Sequence, residues 1–258
     1  MAICIIRSSV DQASVNIINS LIDIVEVEKE DDNLWRGQNF FIYSIEDMHI
    51  YHDFIDEEMR NMGLNPEIVI FASRHRSETG MECLTVHPIG NYAKAELGGR
   101  EELVPAPAHE MFIALGQLLE SGYRSSYEVT HHGPYLETPS FFIEIGSSEK
   151  EWVDKNKGRA VAGAVAHLLK NGDRDHEKTA ISIGGGHYAP GQTDLASKEI
   201  AFGHMLPRYA YRELTEEITS EKIDEMIAKT IPEPDSILLE SVPRWIRRIA
   251  ERKELELL

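Results

Sequence analysis

The chain has 258 residues, 42% of them hydrophobic, and a formal net charge of −18 at pH 7. That length suits one large domain with a full core, and the acidity argues against a protein that coats nucleic acid nonspecifically, because phosphate binding needs attraction at the contact surface. There is no apolar run of membrane-spanning length, the start Met-Ala-Ile-Cys-Ile-Ile-Arg lacks the build of a secretory signal, and Cys4 and Cys83 are too few for a disulfide framework. The expectation is a soluble, cytoplasmic protein with two buried thiols, no membrane partner and no DNA partner.

Residues 2–6 read as a strand, and Ser9 can cap a helix whose apolar positions Val10, Ala13, Ile17, Ile18, Leu21 and Ile22 follow a 3.6-residue period. Residues 39–43 and 48–51 read as strands, and 53–62 as a helix stopped by Gly63. The nearly all-apolar run 67–72 suits a central strand covered on both faces. A strand at 84–87 is followed by a glycine-bearing loop at 91–100 and then a helix with Pro107 in its first turn, ending at Gly122. Residues 127–131 and 141–145 read as strands. Ser148 with Glu151 forms a capping-box pattern for a helix running to Asn171-Gly172. Strands at 179–183 and 199–202 and helices at 220–229 and 242–252 finish the chain, with 231–235 as a stiff connector.

This alternation predicts an α/β fold, a single layered domain over 1–258 with a mixed β-sheet flanked by helices and 232–258 as a C-terminal helical extension. Acidic residues gather at 26–32, 53–58 and 213–225. The last helix instead carries Arg244, Arg247, Arg248 and Arg252 beside Trp245, Ile246 and Ile249, an amphipathic pattern with a basic stripe. A solvated helix end and a phosphate-contacting face account for that stripe equally well.

Three histidine-bearing strings close β-like runs: Ser73-Arg74-His75-Arg76-Ser77, Thr130-His131-His132-Gly133-Pro134 and Gly184-Gly185-Gly186-His187-Tyr188. Strand ends are where ligands sit in α/β proteins, and imidazole exchanges protons or binds metal near neutral pH. His131 and His132 alternate faces on a regular strand, so both enter one pocket only if the chain turns at Gly133-Pro134, with Glu137 then able to orient an imidazole or ligate a metal. A histidine satisfied by backbone carbonyls at a strand end is the competing interpretation. The amides of Gly184, Gly185 and Gly186 beside His187 suit an oxyanion or phosphate cradle, against the plainer reading of a turn needing positive φ.

Arg74 and Arg76 around His75 suit a phosphate or carboxylate, against the alternative of a surface loop. His87 or His109 can complete a metal set, while His49, His52, His167 and His176 carry no comparable context. No Walker loop, spaced dinucleotide fingerprint or nucleophile elbow occurs, which favours hydrolysis by activated water.

Together with Val-His-Pro-Ile-Gly-Asn at 86–91, the three strings resemble, in order and nearly end to end, the motifs of the archaeal and plant type of D-aminoacyl-tRNA deacylase. The resemblance implies hydrolysis of the ester joining a D-amino acid to the terminal adenosine of tRNA, zinc as cofactor, charged tRNA as partner, and a fold similar to nucleoside phosphorylase and peptidyl-tRNA hydrolase cores. On that basis His131 and His187 are the expected metal ligands or water activators. His132 and Glu137 support them, with Glu137 a third metal candidate, and Gly185 and Gly186 stabilise the oxyanion. Arg74, His75, Arg76, Asn91, Thr130, Arg244 and Arg248 are expected on the substrate side, in a chain expected to be monomeric. A nucleoside phosphorylase or nucleosidase, with Arg74, Arg76 and the glycines holding phosphate, is the alternative on a similar fold. A noncatalytic binder of tRNA ends is the third reading.

Overall fold

The structure is a computed structural model that describes residues 2–77, 80–172 and 178–258; His176 lies outside the described residues. In chain order the first half runs β1 (Ile3–Ser8), α1 (Gln12–Ile22), β2 (Glu28–Lys29), β3 (Leu34–Arg36), β4 (Phe40–Ile45), α2 (Ile55–Asn61), β5 (Ile68–Arg76), β6 (Cys83–Pro88), β7 (Ala106–Pro107), α3 (Ala108–Glu120) and β8 (Ser125–Tyr127). It continues with β9 (Ser140–Ser147), α4 (Glu149–Trp152), α5 (Lys155–Asn171), β10 (Lys178–Gly184), α6 (Pro190–Ala196), β11 (Ile200–Leu206), α7 (Arg208–Tyr211) and α8 (Glu216–Lys229). The last elements are β12 (Thr230–Ile231), β13 (Ser236–Glu240), α9 (Arg244–Ala250) and β14 (Glu256–Leu257).

The main sheet has the order β2-β3-β4-β1-β5-β9-β6-β8. Its centre, β4-β1-β5-β9, is parallel, and β6 joins antiparallel to β9. A second sheet, β11-β10-β13-β14, is all parallel. The architecture is therefore the expected mixed α/β layering. Strand alternation sorts the core: Ile3, Ile5, Ile68, Ile70, Leu84, Val86, Phe141, Ile143 and Ile145 pack on the side of α1, α3 and α5. Cys4, Ile6, Val69, Phe71 and Phe142 pack on the other side with Ile55 and Met59 of α2. Phe71 and Phe142 stack at 4.9 Å with both rings fully buried, each worth about 2–3 kcal/mol of burial.

Several local expectations change for identifiable reasons. Asp11, not Ser9, caps α1, because its carboxylate accepts the amides of Ala13 and Ser14, and Val10 is exposed. Residues 48–51 form a 3-10 turn at His49–Tyr51 rather than a strand, closed by the Tyr51 amide on the Met48 carbonyl. The capping box at Ser148 and Glu151 is present, but the helix breaks after Trp152. Asn16 draws the carbonyls of Trp152 and Asp154 to its own amide, and Asp154 then caps α5. Residues 232–258 are not only a helical extension: β13 is an interior strand of the second sheet, paired with β10 and β14. The helix expected at 242–252 is the shorter α9, with Arg244, Arg247 and Arg248 exposed.

Candidate active site

Three neighbouring strands supply the floor of the site. β5 continues past the expected 67–72 because it pairs with β9 as far as Arg76↔Ser147, which carries His75 into the sheet. On β5 the two-residue period runs Val69, Phe71, Ser73, His75; on β9 it runs Phe142, Glu144; on β6 it runs Cys83, Thr85, His87. All lie on the Phe71–Phe142 face, so His75, Glu144 and His87 share one surface. His87 stacks on Phe142 at 5.1 Å.

The segment after β8 crosses this floor. It is not a regular strand, since β8 stops at Tyr127 and only isolated bridges link Glu128 to Tyr188 and His131 to Ile89. His132 has φ +42°, a left-handed value that costs a non-glycine residue about 1 kcal/mol or more. That reversal defeats the strand alternation. His131 and His132 consequently enter the same site, with ring centroids 4.3 Å apart, and His131 lies 4.1 Å from His87 and 4.6 Å from His187. The segment is pinned by Thr130, whose hydroxyl accepts the Met205 amide at 3.0 Å and donates to His204 Nδ1 at 3.1 Å. Gly133 packs against the backbone of Gly98, Gly99 and Ile50, with no room for a side chain.

Glu128 is the centre of the cluster. Its side chain is 0% exposed, with Oε1 3.2 Å from His75 Nδ1 and Oε2 3.1 Å from His187 Nε2 and 3.6 Å from His131 Nε2. These are ionic distances, yet neither oxygen accepts a directed hydrogen bond among the described residues, and His87 Nε2 is likewise buried without one. Burial raises the Glu144 carboxyl, but contacts with His75 and His87 outweigh it and hold the group well below the usual carboxylate range. Burial lowers His75; Glu144 and Glu128 more than compensate, so its pKa is raised. Its Nε2 meets the Tyr188 hydroxyl at 3.0 Å.

The other imidazoles are held in one tautomer. Nδ1 of His87, His131 and His132 faces the carbonyls of Pro88, Val129 and Gly133 at 3.1, 2.8 and 2.7 Å. Carbonyls only accept, so Nδ1 carries the hydrogen in each ring. Burial, reinforced by neighbouring histidines, keeps His131 far below its ordinary pKa and His132 at about 3. Both are neutral at pH 7 and offer Nε2 lone pairs. The ligand atoms of His87, His131 and His132 lie within 4.8 Å of one another, as do those of His75, Glu128 and His187, and of His87, Glu128 and Glu144. Imidazoles fixed by backbone carbonyls, beside buried carboxylate oxygens lacking hydrogens, fit a zinc ion by donor chemistry.

A family model described as D-aminoacyl-tRNA deacylase matches residues 62–257. The chain is 41% identical over 220 residues to the D-aminoacyl-tRNA deacylase of Pyrococcus horikoshii, covering 80% of each chain. It is 36% identical to that of Thermococcus kodakarensis over 98% of this chain and 97% of the relative. The chain belongs to the D-aminoacyl-tRNA deacylase family. A solved structure described as a conserved protein of unknown function matches with a TM-score of 0.87 and 31% identity, over 100% of this chain and 94% of the other.

Of the residues expected in this family's site, His131, His132 and His187 meet in one cluster. His75 joins them, buried between Glu128 and Glu144. Glu137 does not join the cluster: it is exposed, its amide tied to Asp56, and it belongs to no metal-capable group among the described residues. Glu128 and Glu144 take that place. Each interrupts an otherwise uncharged strand-like run, Ser-Ser-Tyr-Glu-Val and Phe-Phe-Ile-Glu-Ile, and a carboxylate there was the available signal.

Arg74 stacks on Trp152 at 5.1 Å, while Arg76 is exposed at the strand end. Asn91 donates to the carbonyls of Gly98 and Arg100, closing its own loop, and Thr130 bonds the Met205 amide. The glycine cradle is filled from within: side chains at Gly185 or Gly191 would collide with the Glu240 carboxylate, and one at Gly184 with its backbone. Gly184 and Gly185 have positive φ, so the turn reading holds there, while Gly186 is exposed. His109 bonds Thr179 at 3.1 Å and is in no metal-capable group among the described residues.

Proposed function

We propose that the chain hydrolyses the ester of D-aminoacyl-tRNA, releasing D-amino acid and tRNA, at the Glu128-centred histidine cluster. The observation that carries this is the buried Glu128 carboxylate, ringed by imidazoles without directed hydrogen bonds, in a chain of this family. Zinc is the cofactor this donor set suits, with His87, His131 and His132 as its nitrogen ligands and Glu128 beside them. When bound, zinc supplies a water acidified to a pKa near ~7.

The chain's own residues do the rest. Glu144 orients His75, whose Nδ1 it faces at 3.6 Å, while the Pro88 carbonyl orients His87. His187, at the exposed rim with Nε2 against Glu128, moves the proton between water and the leaving ribose oxygen. The amide of Gly186, an exposed residue beside it, is the donor to the developing oxyanion. Arg244 and Arg248 on the exposed face of α9 attract the RNA backbone locally, despite the acidic whole.

The phosphorylase alternative is weakened, because Glu240 fills the turn at Gly184 and Gly185 and Arg74 is stacked on Trp152, which leaves only Arg76 and Gly186 of its expected phosphate holders. Incubation of purified protein with D-Tyr-tRNA tests the proposal. Release of D-tyrosine supports it, and absence of release with added zinc, together with phosphate-dependent cleavage of inosine, overturns it.

A further inference from the structure

Beside the glycine turn, outside the histidine cluster, lies an open cavity of about 760 Å³ lined in part by Arg208, Tyr211, Arg212, Ser241 and Trp245. Its charge is anomalous in a chain of net charge −18. Neither Arg208 nor Arg212 has a carboxylate partner within 4.0 Å among the described residues, and Arg208 Nε is buried without any hydrogen-bond partner. Glu240, the residue before Ser241, sends its carboxylate instead to Gly185, Gly191 and Gln192, none of which lines the cavity. Two arginines without a carboxylate within 4.0 Å among the described residues therefore line a space with an indole in its wall. Trp245 meets Tyr211 edge-on at 6.2 Å, which fixes the ring.

The cavity is also in register with the site. The Arg208 amide donates to the Gly185 carbonyl at 3.2 Å, two residues from His187. On its other side Trp245 belongs to α9, whose Arg244 and Arg248 are exposed. It therefore lies between the ester-cleaving centre and the basic helix. Guanidiniums recognise phosphate oxygens, and an aromatic ring stacks any base, a pairing suited to single-stranded RNA.

We infer that this cavity is a nucleotide subsite that takes a phosphate and a base of the unpaired 3′ end of the RNA, Arg208 and Arg212 holding the phosphate and Trp245 stacking the base. The inference rests on the reading of the chain as a hydrolase of charged tRNA and names where that substrate's single strand runs.

The test uses the full chain and two uncharged RNA minihelices, one ending in single-stranded CCA and one blunt, with binding read by fluorescence anisotropy across a salt series. Arg212→Glu and Trp245→Leu are expected to weaken the tailed RNA at least tenfold and leave blunt binding unchanged. Arg208→Ala should lower the salt slope by roughly 0.7 for each phosphate that the guanidinium no longer neutralises. In turnover, KM for D-Tyr-tRNA should rise tenfold with kcat within twofold. Because Arg212 is exposed, Arg212→Glu reports even if Trp245→Leu does not fold. Wild-type affinity in Arg212→Glu, or equal losses on tailed and blunt RNA, overturns the subsite. Variant-sensitive tail binding without any D-tyrosine release leaves the subsite standing and removes the deacylase reading.

Discussion

Glu128 Oε2 lies 3.1 Å from His187 Nε2, and that carboxylate, 0% exposed, accepts no directed hydrogen bond among the described residues. A buried charge in this state is a destabilising element, tolerated where chemistry needs it.

Glu128→Gln removes the charge and keeps the shape. Deacylation should fall by about 10²–10⁴ in kcat/KM, while the thermal midpoint should fall far less, since the amide keeps the shape and leaves no carboxylate to desolvate, offsetting the lost contacts with His75 and His187. Steady-state kinetics and a melting curve on the same preparation check both. Equal loss of activity and stability would make Glu128 a structural residue.

His131→Ala and His132→Ala should each reduce zinc content measured by elemental analysis and abolish most turnover. Glu137→Ala should change neither, because Glu137 is exposed and, among the described residues, hydrogen-bonds only through its backbone. Loss of zinc in Glu137→Ala would restore the ligand set expected from sequence.

Removing the hydroxyl in Thr130→Val deprives the Met205 amide and His204 Nδ1 of their partner, at a cost of about 1–3 kcal/mol. The loosened segment carries both Glu128 and His131, so kcat should fall more than KM rises. Denaturant unfolding and kinetics together show whether the tether positions the cluster.

His204 gives the pH dependence. It is fully buried between Thr130 and the Val104 carbonyl, and burial lowers its pKa from 6.5 to about 3. Above pH 6.5 it is neutral folded and unfolded alike and contributes no slope. As pH falls from 6.5 toward 3 the unfolded chain takes up a proton that the folded chain refuses, so stability declines by up to about 1.4 kcal/mol per pH unit. Relative to His204→Gln, the stability advantage of wild type should therefore shrink across that window in urea titrations. A constant difference would show that His204 is protonated in the fold.

Much of this architecture is legible in the sequence because periodicity reports burial directly. The apolar run through Ile70 and Phe71 is the central strand, and the alternation of strands and helices gives the layered sheet. The C-terminal strand β13 is not legible, since Ser-Ile-Leu-Leu-Glu beside a proline-rich connector carries little alternation. The histidines announce themselves through their strand-end positions. Glu128 and Glu144 give only the weaker signal of a carboxylate inside an uncharged run, because their importance lies in being buried against residues distant in sequence. His132 escapes the alternation rule for a similar reason: its left-handed backbone is imposed by the packing around Gly133.

The most direct measurement is release of D-tyrosine from D-Tyr-tRNA by the purified chain, before chelation, after chelation and after zinc is returned. The account predicts release that chelation abolishes and zinc restores, with L-Tyr-tRNA spared and Glu128→Gln inactive throughout. Full activity in Glu128→Gln, or none in the zinc-loaded wild type, would contradict it.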